Sequence, residues 1–188
     1  MVNFLLDFGD KRVNTIDIFD GWYFNDDAPV EAIVPGWKRG VKKFAHEASL
    51  DDLLELKEII SSDVWKYETP VHYAARNDKQ RVMQFFLYTD YDFNDGCTYH
   101  FYHFGPPFVL ACSHGSLDVA KMMIESSKEF GSDHIDLNAN DKDGETALDV
   151  VKSKIRFGDP GKREIYNRLK TLLEEEYTEN PENDQSRV

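Results

Sequence analysis

Only two cysteines, Cys97 and Cys112, occur in 188 residues. That is too few for a disulfide framework, and the expected compartment is a reducing one, cytoplasmic or also nuclear. Basic residues are scarce as well: 22 Lys and Arg face 35 Asp and Glu, for a formal charge of −13. Such a field repels phosphate backbones, so nucleic acid is not an expected partner. Long apolar runs are missing. Residues 1–10 are interrupted by Asp7 and carry neither a basic start nor a small-residue cleavage site, so neither a membrane span nor a secretory route is expected.

Catalytic signatures are missing too. Gly158-Asp159-Pro160-Gly161-Lys162-Arg163 contains a Gly-Lys pair but lacks the spacing and the Ser or Thr of a phosphate-cradling loop, and His46-Glu47 lacks the second histidine of a metalloprotease helix. No Gly-x-Ser-x-Gly elbow occurs, and the carboxylates scatter without an apolar pocket to shift them. The expectation is a non-catalytic protein without a cofactor.

What the chain does have is a core and a repeat. Apolar residues make up 41% and aromatics 13%, enough to bury an interior. The segment Thr69-Pro70-Val71-His72-Tyr73-Ala74-Ala75-Arg76-Asn77-Asp78 aligns with Pro106-Pro107-Phe108-Val109-Leu110-Ala111-Cys112-Ser113-His114-Gly115. Each is followed by a second apolar stretch, at residues 82–87 and 119–124. A third copy begins at Thr146-Ala147-Leu148-Asp149-Val150-Val151, and a degenerate one precedes them over residues 44–60. About four helix-turn-helix units result, each longer than the simplest repeat of about 33 residues.

The physics of one unit is local. Thr69 can cap a helix whose first residue, Pro70, loses only an orphan N–H. Ala74 and Ala75 allow close helix packing. Gly115 suits a left-handed helix end, and Asp78 holds the matching place less comfortably. Asp159-Pro160 reads as another cap and first-turn proline, and Ile165, Leu169, Leu172 and Leu173 share one face of a closing helix. Residues 174–176 and 179–184 are too acidic to bury anything, so 177–188 are expected to be a disordered acidic tail. Residues 1–41 differ in kind: apolar, β-branched runs around Gly9-Asp10-Lys11 and Asp20-Gly21 predict a β-prone cap, with 26–36 as linker.

These residues resemble an ankyrin-repeat protein. Asp136-Leu137-Asn138-Ala139-Asn140-Asp141-Lys142-Asp143-Gly144-Glu145-Thr146-Ala147-Leu148 resembles the family's β-turn finger and the helix start after it almost position for position. Asp92-Phe93-Asn94 resembles another finger start, and Ser116-Leu117-Asp118-Val119 an outer-helix start. The resemblance covers residues 42–176 and implies an all-α, ankyrin-like solenoid of about four repeats that recognises another protein. Departures are visible. The histidine of the family's helix start occurs only as His72, with Val109 and Asp149 elsewhere. The finger after Asp63 is short, that between Asn94 and Pro106 is enlarged, and the loops at 129–134 and 156–161 are longer than the family pattern.

Family usage places partner contacts at finger tips and the exposed inner-helix face: Lys66, Tyr67 and Glu68; Arg76 and Asn77; Ser113 and His114; Lys142, Asp143 and Glu145. The enlarged finger adds Tyr99, Phe101, Tyr102 and Phe104, aromatic residues that either project as interface anchors or fold back as a local core. Cys97, His100 and His103, with Cys112 and His114 nearby, are zinc-type ligands, but their spacing fits no standard pair, and no metal is assigned. His72 is expected to hydrogen-bond backbone within its own unit. Lys38-Arg39-Gly40-Val41-Lys42-Lys43 is either a solvated helix start or an import signal.

The functional expectation is an adaptor or inhibitor, monomeric, whose acidic charge steers it to a basic or mixed-charge partner. The alternative is a homodimer paired through the N-terminal β segment. Pathogen and viral ankyrin proteins that mimic host regulators would look alike, which leaves delivery into a host cell open.

Overall fold

The computed structural model describes residues 5–8, 11–14, 23–24, 28–29, 36–61, 69–94, 97–99 and 102–179, with the strand side chains and some in the first two helices outside that description. The described chain is mostly helical. It divides into two compact units, Met1–Trp65 with Arg81–Tyr91, and Lys66–Gln80 with Asp92–Val188. No described helix is long and apolar enough to cross a membrane.

In the first unit, β1 (Leu5–Phe8) pairs antiparallel with β2 (Lys11–Asn14), Leu6 opposite Val13, across the Gly9-Asp10 turn signal. β3 (Tyr23–Phe24) pairs with β4 (Ala28–Pro29), so part of the expected linker is a strand. Helix α1 (Trp37–Glu47) follows. It begins five residues before the repeat region was expected to start, and the basic cluster forms its first turns. Gly40 lets the helix approach closely: a Cβ there would lie 2.7 Å from Thr89 Cγ2. Ser49 and Asp52 cap α2 (Leu50–Ser61) reciprocally, with Ser49 N donating to the Asp52 carboxylate at 2.8 Å and Asp52 N to Ser49 Oγ at 3.2 Å. Phe44 meets Phe85 edge to face at 5.6 Å, and both are fully buried.

Polar side chains lace this unit together. Tyr88 Oη donates to Glu47, Gln84 Nε2 donates to the same carboxylate at 3.0 Å, and Lys43 Nζ stands 4.0 Å over the Tyr88 ring. The Arg39 guanidinium is paired with Asp90 and donates to the Tyr88 carbonyl at 3.3 Å. Burial first, and the bond to Glu47 next, hold the Tyr88 phenol above its ordinary range.

The second unit begins with α3 (Pro70–Arg76) and includes Gln80, the first residue of α4 (Gln80–Leu87). A hairpin follows, β5 (Cys97–Tyr99) against β6 (Tyr102–Phe104), with Tyr99 opposite Tyr102. The enlarged finger therefore contains paired backbone. Then come α5 (Pro107–His114), α6 (Leu117–Phe130), α7 (Ala147–Phe157), a 3-10 turn (Pro160–Lys162) and α8 (Arg163–Glu179).

Helix α3 packs on α5, α5 on α7 and α7 on α8, with α6 against α5 and α8. Ala74, Ala75, Ala111, Cys112 and Ala147 are fully buried, and these small side chains let successive helices sit close. Phe93, Phe108, Met123, Ile135, Leu137 and Leu169 fill the interior.

Three boundaries differ from expectation. Helix α6 runs through Phe130 and α7 through Phe157, so the loops expected from 129 and 156 each begin two residues later. The tail expected from 177 is helical through Glu179, and Tyr177 Oη donates to the Leu137 carbonyl at 3.0 Å. Glu176, expected to bury nothing, is 3% exposed and paired with Lys128. Its position explains this: Tyr166, Leu169, Leu173 and Glu176 recur at three- and four-residue steps on the packed face of α8.

Candidate functional site

The chain builds its exposed positions by repeating three local devices within the second unit. The first is a helix start. Thr69 Oγ1 accepts from His72 N at 3.3 Å and lies 2.7 Å from His72 Nδ1. The Gly105 backbone, ahead of the next helix start, opposes the effect of burial on the ring. At the third copy Asp149 replaces the histidine and completes a capping box. It accepts from Thr146 N at 3.2 Å while its own N–H reaches Thr146 Oγ1 at 3.3 Å. At the second copy Pro106 supplies no side-chain cap.

The second device is the left-handed helix end. Gly115 has φ 79°, and Asp78, with φ 53°, is the one non-glycine with positive φ among the described residues. The reason for aspartate is visible. Asp78 Oδ1 accepts from Val119 N at 3.0 Å, capping α6, whose own N-cap Ser116 makes no side-chain cap bond. Gln80 Nε2 adds a bond to Asp118 at 3.2 Å.

The third is the finger. Asp141 Oδ1 accepts from Asp143 N at 2.8 Å and Glu145 N at 3.0 Å, Asp141 N donates to the Glu145 carbonyl at 3.0 Å, and Gly144 turns at φ 78°. This finger is well defined, and it holds Lys142, Asp143 and Glu145 exposed. Asp92-Phe93-Asn94 and Asp136-Leu137-Asn138 repeat one design: each aspartate accepts from the asparagine N–H two residues on, at 2.9 and 2.8 Å, around a buried apolar residue. Asn94 then reaches the later copy, its Oδ1 accepting from Asp136 N at 2.6 Å. This bridge escaped the sequence, in which Asn94 marked only a finger start.

The other expected contact residues separate. Asn77 is exposed and donates to the Tyr73 carbonyl at 2.9 Å; Arg76 is half-buried. Ser113 and His114 are half-buried, and their carbonyls accept from Tyr166 Oη and Lys162 Nζ, both at 3.0 Å. Part of that expected surface is thus occupied by the chain itself. Lys66, Tyr67, Glu68 and Phe101 lie outside the described residues, as do the side chains of Tyr99, Tyr102 and Phe104.

Electrostatics sets the histidines and the thiol apart from ordinary surface groups. Burial lowers His72 to about 4. Burial also lowers His114, opposed by its hydrogen bond to the Leu110 carbonyl and reinforced by the positive charges of Arg76, Lys154 and Lys162. Burial pushes the Cys112 thiol up to about 12, which leaves it a packing residue rather than a nucleophile. Among the described residues no group of three or more His, Cys, Asp or Glu could hold a metal ion. His100 and the Cys97 and His103 side chains fall outside that set. A shallow groove of about 350 Å³ between α6 and α8 is lined by both apolar and charged residues, among them Leu117, Lys121, Arg168 and Glu175.

Comparison of the chain with protein-family models, with curated proteins and with solved structures finds no match.

Proposed function

We propose that the helical units form an ankyrin-like stack that acts as a non-catalytic protein-recognition module, an adaptor or inhibitor of a partner protein. The observation that carries this reading is the finger at 141–145. Its backbone is fixed by one aspartate, and its tip residues Lys142, Asp143 and Glu145 take no part in the packing. A rigid scaffold that holds polar side chains outward keeps the ordering cost of binding low. The helices behind it use their side chains on one another: Thr69, His72, Asp78, Asn94 and Asp149 all serve caps or inter-repeat bonds.

The test is affinity capture with the intact chain, then direct binding measurements on each captured protein. Two variants are compared with it: one reversing Lys142, Asp143 and Glu145, the other changing Tyr99, Phe101, Tyr102 and Phe104 to Ser. Loss of one specific partner, with an unchanged circular-dichroism spectrum, supports the reading. Equal binding by both variants removes the fingers from it.

A further inference from the structure

The end of α7 is built unlike the ends of α3 and α5. Those helices have 7 and 8 residues and α7 has 11, yet its last buried side chain is Val151. The additional turn and the chain after it gather Lys152, Lys154, Arg156, Lys162 and Arg163 into twelve residues with one carboxylate, Asp159, in a chain whose net charge is −13. Among the described residues none of the five cations forms an ion pair. Phe157 sits among them 84% exposed, against 54% for Phe130 and 49% for Leu54, the other large apolar side chains that stand out among the described residues.

The segment is held in place. Gly158 N donates to the Lys154 carbonyl at 2.9 Å, the Asp159 carboxylate accepts from Gly161 N at 2.9 Å, and Lys162 N donates to the Asp159 carbonyl at 3.0 Å. Lys162 Nζ is bonded to the His114 carbonyl, which brings the turn against the end of α5. Folding therefore leaves an aromatic side chain in water on a segment whose exposed Lys154, Arg156 and Arg163 form no ion pair among the described residues.

We propose that the end of α7 and the turn into α8 dock an acidic segment of a partner protein, its carboxylates meeting Lys154, Arg156 and Arg163 and one apolar side chain covering Phe157. Charge complementarity selects this occupant. A short acidic segment touches the patch alone, whereas a nucleic-acid backbone runs on past it into the carboxylates that dominate the rest of the chain. The exposed aromatic ring supplies an anchor that a purely ionic site lacks, and the rigid turn limits the entropy lost on binding. This surface is separate from the fingers and stands or falls without them.

The test titrates the isotope-labelled full chain with a synthetic peptide of about twelve residues, glutamates flanking one leucine. A glutamine-for-glutamate peptide and an oligothymidylate are run in parallel. The expected result is chemical-shift change confined to residues 152–163 and the helix ends beside them, affinity that weakens with salt, and no response to the glutamine peptide. Lys154→Gln with Arg156→Gln should weaken binding about tenfold, and Phe157→Ser about fivefold, with the remaining spectrum intact. Shifts elsewhere, variants that bind as well as the parent, or an oligothymidylate that binds the same residues more tightly would overturn the proposal. A negative finger-capture experiment leaves this result untouched, so the two readings fail separately.

Discussion

Residues 69–78 and 146–158 start alike and finish differently. Both open on a threonine that accepts from the amide three residues on, and both bury the alanine-bearing face of the helix that follows. After that they diverge. The earlier segment ends at once, on Asp78, which turns left-handed and caps α6. The later one runs an extra turn into water, carrying Lys154, Arg156 and Phe157. Positions that start a helix are tied to folding, whereas the helix ends, once capping is satisfied, are free to vary. What distinguishes this chain should be sought at the ends.

The contrast can be broken hardest at His72, for which the later segment has Asp149. A buried imidazole with a folded pKa of about 4, against an ordinary histidine value of about 6.5, is neutral when folded, and the unfolded chain takes up its proton first. Its contribution is therefore complete above about pH 6.5 and is lost as pH falls toward 4, about 3 kcal/mol over the whole range. Burial moves His114 in the same direction. Urea midpoints of the parent and of His72→Gln, measured from pH 7.5 to about 4.5, should differ less as the pH falls. Parallel curves would remove His72 from the acid response.

Next in size is the cap itself. Thr69→Ala removes both the amide acceptor and the partner of His72 Nδ1, and about 2 kcal/mol should be lost. Thr146→Ala breaks an exposed capping box for about 1 kcal/mol. Equal losses would mean that the histidine contributes nothing through its threonine.

Much of this was legible before any coordinate, because caps, left-handed ends and small buried residues are decided within a few positions of the chain. Thr69, Pro70, Ala74, Ala75, Asp78 and Gly115 all take the places their chemistry suggests. What escaped reading depends on distant partners. Glu176 looks like part of an acidic run until Lys128 and the face shared with Leu169 and Leu173 bring it inside. His72 was assigned to its own unit, but the Gly105 backbone ahead of the next helix also acts on its ring. The end of α7 was read as part of a loop over 156–161, longer than the family pattern, and that comparison does not say how far the helix runs. The candidate site divides the same way. Lys142, Asp143 and Glu145 were named from the resemblance to the family's finger and are exposed, whereas the basic end of α7 becomes a surface only when helix length and burial are known.

At the helix end, Asp78→Gly sharpens the comparison further. Glycine relieves the left-handed backbone but removes the acceptor for Val119 N, two effects of about 1 kcal/mol and opposite sign. A net loss of only about 0.5 kcal/mol is expected, and Asp78→Asn, which tolerates the conformation and still accepts, should be closer to neutral. Thermal melts of the three proteins order them directly. A large loss with asparagine would show that the negative charge at the start of α6, rather than the hydrogen bond, is what matters.

The smallest expected effect is the most diagnostic. Phe157→Ser removes a large aromatic side chain, a change that costs about 3–5 kcal/mol inside a core. At 84% exposure it packs on almost nothing, so stability should stay within about 0.5 kcal/mol of the parent or rise, with fewer apolar atoms held in water. Residues 152–163 should keep their shifts, because the turn is fixed by Lys154, Asp159 and Lys162 rather than by the ring. A loss of 2 kcal/mol or more would place the ring inside the fold and end its case as an anchor. A neutral result separates folding from recognition at the end of α7, a helix that outruns its packing.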